Sequence, residues 1–299
     1  MRISSMQMFR QSVDSMLDQQ SNLARTQNQL ASGKRIVNPS DDPTGAASLI
    51  GLAESSRITE QYQRNIDQAR ARLELEDSVL ASVVDNVQRA RELTIQGLNS
   101  TNSARDRDAI AKEIRQILAE VTGLANRKDG TGNYLFGGFE VKTVPVTETA
   151  PGSFVYNGDS GQRQIQVGPA RQISDGDAGQ SVFMDIPSVA GVEDIFTTLH
   201  SLATDLESNT PNGASLDQFD NALDNFLNVR ASIGARLNAL DSQRDNNAAF
   251  LEQLEITRSS IEDLDYAEAA ARLSHESIAL QAAQQAFVKV QNMSLFNYL

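Results

Sequence analysis

Ser160 lies in the tetrapeptide Gly158-Asp159-Ser160-Gly161, which matches the segment around the nucleophile of trypsin-like serine proteases. A serine hydroxyl attacks a carbonyl only when a histidine takes its proton and a carboxylate orients that histidine. That arrangement places the His and the Asp before the Ser, and the only two histidines, His200 and His275, both follow residue 160. The tetrapeptide therefore reads as a polar turn. Asp175 and Asp177 resemble the opening of a calcium loop, but Ile186 stands where the bidentate glutamate belongs. Gly130, Gly132, Gly137 and Gly138 form neither a dinucleotide fingerprint nor a phosphate loop and read as a helix-to-strand transition. His200 and His275 have no second histidine with which to share a metal. The acidic run Glu262-Asp263-x-Asp265 reads as a solvated face of a long helix. Cysteine is absent, which excludes a disulfide framework, a zinc–thiolate centre and a thiol nucleophile. No catalytic, cofactor-binding or metal-binding constellation is expected, so the chain reads as an interaction or structural protein.

The elements that position these residues are mostly helical. Phe9, Met16, Leu23, Leu30 and Val37 recur at seven-residue spacing, a narrow stripe that needs a partner along its length. The pattern stops at Ser32-Gly33. Asn38 to Gly45 reads as a loop in which Asp42 caps a new helix that has Pro43 in its first turn. That helix carries Ile66, Leu73, Leu80, Val87 and Thr94 at the same spacing, with Ala69, Val83 and Ala90 on the companion position, and breaks near Gly97. A third helix carries Ile110, Ile114, Ile117, Val121 and Leu124. From Gly130 to about Pro187 helical periodicity vanishes; 154–156, 163–167 and 182–184 are predicted strands of a small β-rich insert. Helix returns with Val192, Ile195, Leu199, Leu202 and Leu206, and again with Phe219, Leu223, Phe226, Ile233, Leu237 and Leu240. With no glycine or proline between Ala235 and Leu299, the last helix is predicted to continue unbroken to the end.

At 299 residues the chain has room for two domains or one extended one. Its net charge of −13 argues against a general nucleic-acid or anionic-membrane binder. Residues 1–40 hold five Lys/Arg and two Asp/Glu, residues 241–299 hold four and nine, and residues 129–227 hold three and fourteen. The ends are thus opposite in sign and suited to lie side by side, and the acidic middle suits an outer, solvated position. No run approaches a membrane span. The first residues lack the apolar core of a cleavable secretory signal, so a cytoplasmic location, or export by a route that reads no such signal, is expected.

The segment Gln29-Leu30-Ala31-Ser32-Gly33-Lys34-Arg35-Ile36, followed by Asn38-Pro39-Ser40-Asp41-Asp42-Pro43-Thr44-Gly45, resembles the N-terminal signature of bacterial flagellins and their hook-associated relatives. The closing run Leu280 to Phe287, ending in Leu295-Phe296-Asn297-Tyr298-Leu299, is similar to that family's last helix. Gly132 to Gly138, the turn at Tyr156-Asn157-Gly158-Asp159, and Asn228 to Asn238 resemble the family's hook–filament junction members in particular, as do Pro39 and Pro43.

The resemblance implies a mainly α fold with a small β-rich insert, its long helical core built from both ends of the chain. It divides the chain into a terminal coiled-coil domain lining an inner tube (1–42 and 255–299), a helical rod or bundle (43–132 and 190–254) and an outer β-rich domain (133–189). It implies a structural, non-enzymatic subunit connecting the hook-side junction protein to the filament, the alternative being the flagellin filament subunit itself. Implied partners are a homo-oligomeric ring, the adjacent hook-associated junction protein, flagellin and a flagellar type III export chaperone, with no nucleic acid and no membrane insertion. Assembly is expected to bury Phe9, Met16, Leu23 and Leu30 on one side, and Leu273, Leu280, Phe287, Val290, Leu295 and Leu299 on the other. Ser32, Gly33, Arg35, Ile36, Asn38, Asp41, Asp42 and Gly45 form the signature loop.

Overall fold

The computed structural model describes residues 2–188 and 191–292. Helices dominate: α1 (Arg2–Ser32), α2 (Pro43–Leu98), α3 (Ala104–Ala125), α4 (Ile195–Glu207), α5 (Ala214–Glu262) and α6 (Tyr266–Asn292). Among the described residues, six short strands lie between α3 and α4: β1 (Val146–Ala150), β2 (Ser153–Tyr156), β3 (Gln164–Gly168), β4 (Arg171–Ser174), β5 (Ile186–Ser188) and β6 (Gly191–Glu193). They form three separate antiparallel pairs, β1–β2, β3–β4 and β5–β6. This is the mainly α fold with a β-rich insert that the sequence predicts. Among the described residues no helix is long and apolar enough to cross a membrane.

Two compact units partition the chain: residues up to Ile58 with those from Ala249 onward, and Thr59–Ala248. In the second unit, the heptad positions become the core. Ile66, Leu73, Leu80, Val87 and Thr94 are fully buried, as are Ala69, Val83 and Ala90. The Thr94 hydroxyl is satisfied by donating to the Ala90 carbonyl at 2.7 Å. On α5, Phe219, Phe226, Ile233 and Leu240 are buried at seven-residue intervals. Polar rungs fix the direction of α5 against α2: Arg91 to Asp220 (2.6 Å), Asp77 to Arg230 (2.8 Å), Arg70 to Asp241 (2.5 Å) and Gln63 to the Arg244 carbonyl (3.0 Å). Numbers rise on one helix as they fall on the other, so the two run antiparallel. A capping box at Ser103 and Asp106 starts α3, which packs on α4.

Three local expectations are corrected. The apolar run Val182-Phe183-Met184 is no strand but part of a π-helical turn, Gln180–Met184. Val182 and Phe183 are adjacent and both fully buried; a strand would turn one of them outward, whereas the wide turn faces both inward. The Phe183 ring lies 5.0 Å from Phe136, 5.9 Å from Phe196 and 5.8 Å from Phe226. Val192 belongs to β6, not to the following helix, because the Asp194 side chain accepts the Thr197 N–H at 2.6 Å and caps α4 there. The C-terminal helix breaks at residues 263–265. Asp265 accepts from the N–H groups of Ala267 (2.9 Å) and Glu268 (3.1 Å), an N-cap that starts α6 without any glycine or proline. The acidic run Glu262-Asp263-x-Asp265 is thus a joint between helices rather than a helix face.

Candidate assembly surface

The signature loop sits in the first unit, where it folds onto the α5–α6 joint. α1 ends when Gly33 turns into the left-handed region (φ 72°), a conformation that disfavours any residue with a Cβ. The space is also taken: a Cβ on Gly33 would stand 2.8 Å from the Tyr266 hydroxyl. The freed backbone then pairs across the joint. Leu264 N–H donates to the Gly33 carbonyl (3.0 Å) and Arg35 N–H to the Glu262 carbonyl (2.7 Å). The Arg35 guanidinium donates to the Ile261 carbonyl, an unsatisfied acceptor at the end of α5, from Nε (3.1 Å) and Nη2 (2.7 Å), and reaches Asp42 at 3.3 Å. Lys34 pairs with Glu262.

The rest of the loop closes on itself. Ser32 Oγ donates to the Gln29 carbonyl (3.2 Å). Ile36 is buried and packs where Gly45 leaves room, since a Cβ at Gly45 would come within 2.6 Å of Ile36 and of Asp42. Asp41 accepts from Asn38 N–H (2.9 Å). Asp42 accepts from Gly45 N–H (2.8 Å), capping α2 as the sequence predicts. That backbone donor, aided by Arg35, holds the Asp42 carboxyl below its ordinary range. The loop residues thus form an intramolecular clasp.

Beyond the clasp, α1 and α6 lie side by side. Gly33 is near Tyr266, and the Phe9 and Phe287 rings meet at 5.2 Å, so the pair is antiparallel. Met16, Leu23 and Leu30 on α1, and Leu273, Leu280 and Phe287 on α6, are half-buried; Phe9 remains exposed. Of the other named positions, the Val290 side chain, Leu295 and Leu299 lie outside the described residues. Leu17 is 54%, Ile278 63% and Val288 52% exposed. These three were not among the expected interface residues. They lie off the chosen stripe, and only a second apolar face, read at other helical offsets, would have indicated them.

Two of the motifs weighed for chemistry hold turns together. Asp159 accepts from the N–H groups of Phe139 (3.0 Å) and Gly161 (2.7 Å), so the Gly-Asp-Ser-Gly segment staples one turn to another. Gly138, at φ 68°, is where those turns touch; a Cβ there would lie 2.5 Å from the Asp159 carbonyl oxygen. The Tyr156 hydroxyl lies 2.8 Å from the Phe136 carbonyl and 2.9 Å from that of Asp159, and burial pushes its pKa up to about 12. Among the described residues no group of three His, Cys, Asp or Glu is placed to hold a metal ion.

A helical pair from the two chain ends, a clasp at its root and a β-rich middle define a flagellin-type subunit. The family profile described as the bacterial flagellin N-terminal helical region matches residues 3–140, and that of the C-terminal helical region matches residues 216–299. The chain belongs to the bacterial flagellin family, a family of flagellar structural proteins, and within it to the hook-associated protein 3 branch. It is 30% identical to flagellar hook-associated protein 3 of Escherichia coli K12, with 99% of each chain covered. It is 28% identical to flagellin FlaB2 of Treponema pallidum over 85% of this chain and 83% of that one. The crystal structure of flagellar hook-associated protein-3 from Legionella pneumophila shares the fold, with a TM-score of 0.67 at 23% identity, covering 70% of this chain and 98% of that one.

Proposed function

We propose that this chain is a structural subunit of the bacterial flagellum at the hook–filament junction, where a ring of copies connects the hook-side junction protein to flagellin. The observation that carries the reading is the α1–α6 pair, which leaves Leu17, Ile278 and Val288 more than half exposed although two isolated helices need apolar cover. Neighbouring subunits supply that cover. Each such side chain buried contributes about 1.5–3 kcal/mol, set against roughly 1–2 kcal/mol of backbone entropy per residue ordered, so ordering of the pair and assembly are coupled. The terminal pair is the inner-tube part (1–42 and 255–299), the long helices form the rod (43–132 and 190–254), and the β-rich segment (133–189) projects outward. The role is non-enzymatic. Export follows the flagellar type III route, after a chaperone has held the chain. The full-length relationship to a hook-associated protein 3, against the partial one to flagellin, favours the junction over the filament.

Electron microscopy of cells lacking this protein tests the proposal. Bare hooks, with flagellin lost to the medium, are expected; normal filaments would end it. Purified protein added to filament seeds is expected to stop after a short layer, and growth of long filaments would make it a flagellin.

A further inference from the structure

Glu76, on the core side of α2, is fully buried within a set of ion pairs that leaves it none of its own. From the same helix, Arg72 donates to Asp129 (3.1 Å) and to the Leu135 carbonyl (3.0 Å). From the loop after β4, Asp175 pairs with Arg163, which precedes β3, and Asp177 pairs with Arg236 of α5. On neighbouring turns, Arg230 pairs with Asp77, and Arg70 with Glu74 and Asp241. Arg72, Arg163 and Arg236 thus meet Asp129, Asp175 and Asp177 one to one, and Glu76 is the carboxyl left over. Its Oε1 accepts the Asp177 N–H at 3.1 Å, while Oε2 is buried with no hydrogen-bond partner among the described residues. Gly176 packs over it: a Cβ there would stand 3.3 Å from Arg72 Nε and 3.6 Å from Glu76 Oε2.

A buried carboxylate is tolerated when it is paired and fully hydrogen-bonded; one accepted bond and a neighbouring aspartate do not meet that condition. We propose that Glu76 carries a proton in the folded protein and serves as a pH-sensitive latch, fastening the 175–179 loop and the β3–β4 hairpin to α2. Burial first, and the Asp177 charge second, push its carboxyl well above the ordinary range, against the weaker pull of Arg236, the Asp177 N–H and Arg72. The native state therefore holds a proton that the unfolded or opened state releases. Stability falls as pH rises from the ordinary glutamate value, about 4.3, to the folded pKa, and is level above it. Ionisation sets a negative charge beside Asp177, which lifting the loop into water relieves.

The test uses the full-length protein and Glu76→Gln, which keeps the size and the acceptor but cannot ionise. Amide exchange of residues 175–179 is compared between the two proteins across pH. The exchange rate of wild type relative to the variant is expected to rise about tenfold per pH unit between the two pKa values, and to be equal near the lower one. Parallel profiles, or a variant that opens more readily than wild type at neutral pH, would overturn the latch. Should the variant fold poorly, carbon-detected titration of the Glu76 carboxyl in wild type decides alone: a midpoint above the ordinary range supports the latch, and one at or below it ends it.

Discussion

Gly33 and Arg35 divide the clasp between conformation and hydrogen bonding. Gly33 supplies a backbone turn that costs roughly 1–2 kcal/mol for a residue with a Cβ, and Tyr266 already occupies the space such a Cβ would need. Gly33→Ala is therefore expected to lower the stability of the terminal pair by about that amount, and Gly33→Asn by less, since asparagine tolerates the left-handed region. Hydrogen exchange of α1 and α6 amides measures this; equal protection in all three proteins would refute it. Asp42 adds a pH dependence of the opposite sign to that of Glu76. Its folded pKa is lowered, first by the Gly45 N–H, so its contribution is present above the unfolded value of about 3.9 and is lost as pH falls through the folded one. Asp42→Asn should loosen the clasp at neutral pH and have no effect in strong acid. The signature residues were legible as a motif, but not as a clasp, because their partners on Ile261 and Glu262 are backbone carbonyls about 226 positions away, and carbonyls leave no trace in residue type.

At the scale of elements, periodicity was readable where one face is buried and failed where packing is irregular. The α2 heptads could be read because every position in them meets the core. The break between α5 and α6 was hidden by the lack of glycine or proline; its signal was Asp265 ahead of Ala267 and Glu268, an N-cap inside a helical pattern. Asp265→Ala is expected to cost about 0.5–2 kcal/mol and to shift protection from the start of α6, with α5 unaffected. The α1–α6 pair was expected as one stripe meeting another, yet its outward face is also apolar. Leu17→Asp and Ile278→Asp are expected to leave circular dichroism unchanged and to abolish incorporation into flagella. Incorporation at the wild-type level would remove this face from the assembly surface.

For the whole molecule, the acidic middle reads as an outer domain by composition, and its low helical periodicity invites treating it as a removable insert. Its packing argues otherwise. Phe183 contacts Phe136, Phe196 and Phe226, Asp177 is paired with Arg236 of α5, and Asn247 of α5 donates to the Val167 carbonyl at 3.0 Å. Apart from Phe136, which lies in the segment itself, each of these partners ties the β-rich segment to a helix of the same unit, Thr59–Ala248. The segment therefore completes the core of the helices it decorates. Excising residues 139–193 and rejoining the chain would uncover Phe196 and Phe226, and losing that cover for a phenylalanine costs about 3–5 kcal/mol by analogy with truncation to alanine. The excised protein is expected to melt well below the intact one, and a fragment of residues 59–248 to unfold in a single transition with calorimetric and van't Hoff enthalpies that agree. An excision protein as stable as the parent, or two separate transitions in the fragment, would show the β-rich segment to be an autonomous domain. Cooperative melting would instead mean that the outer surface can vary only where it does not face Phe136, Phe183 or Asp177.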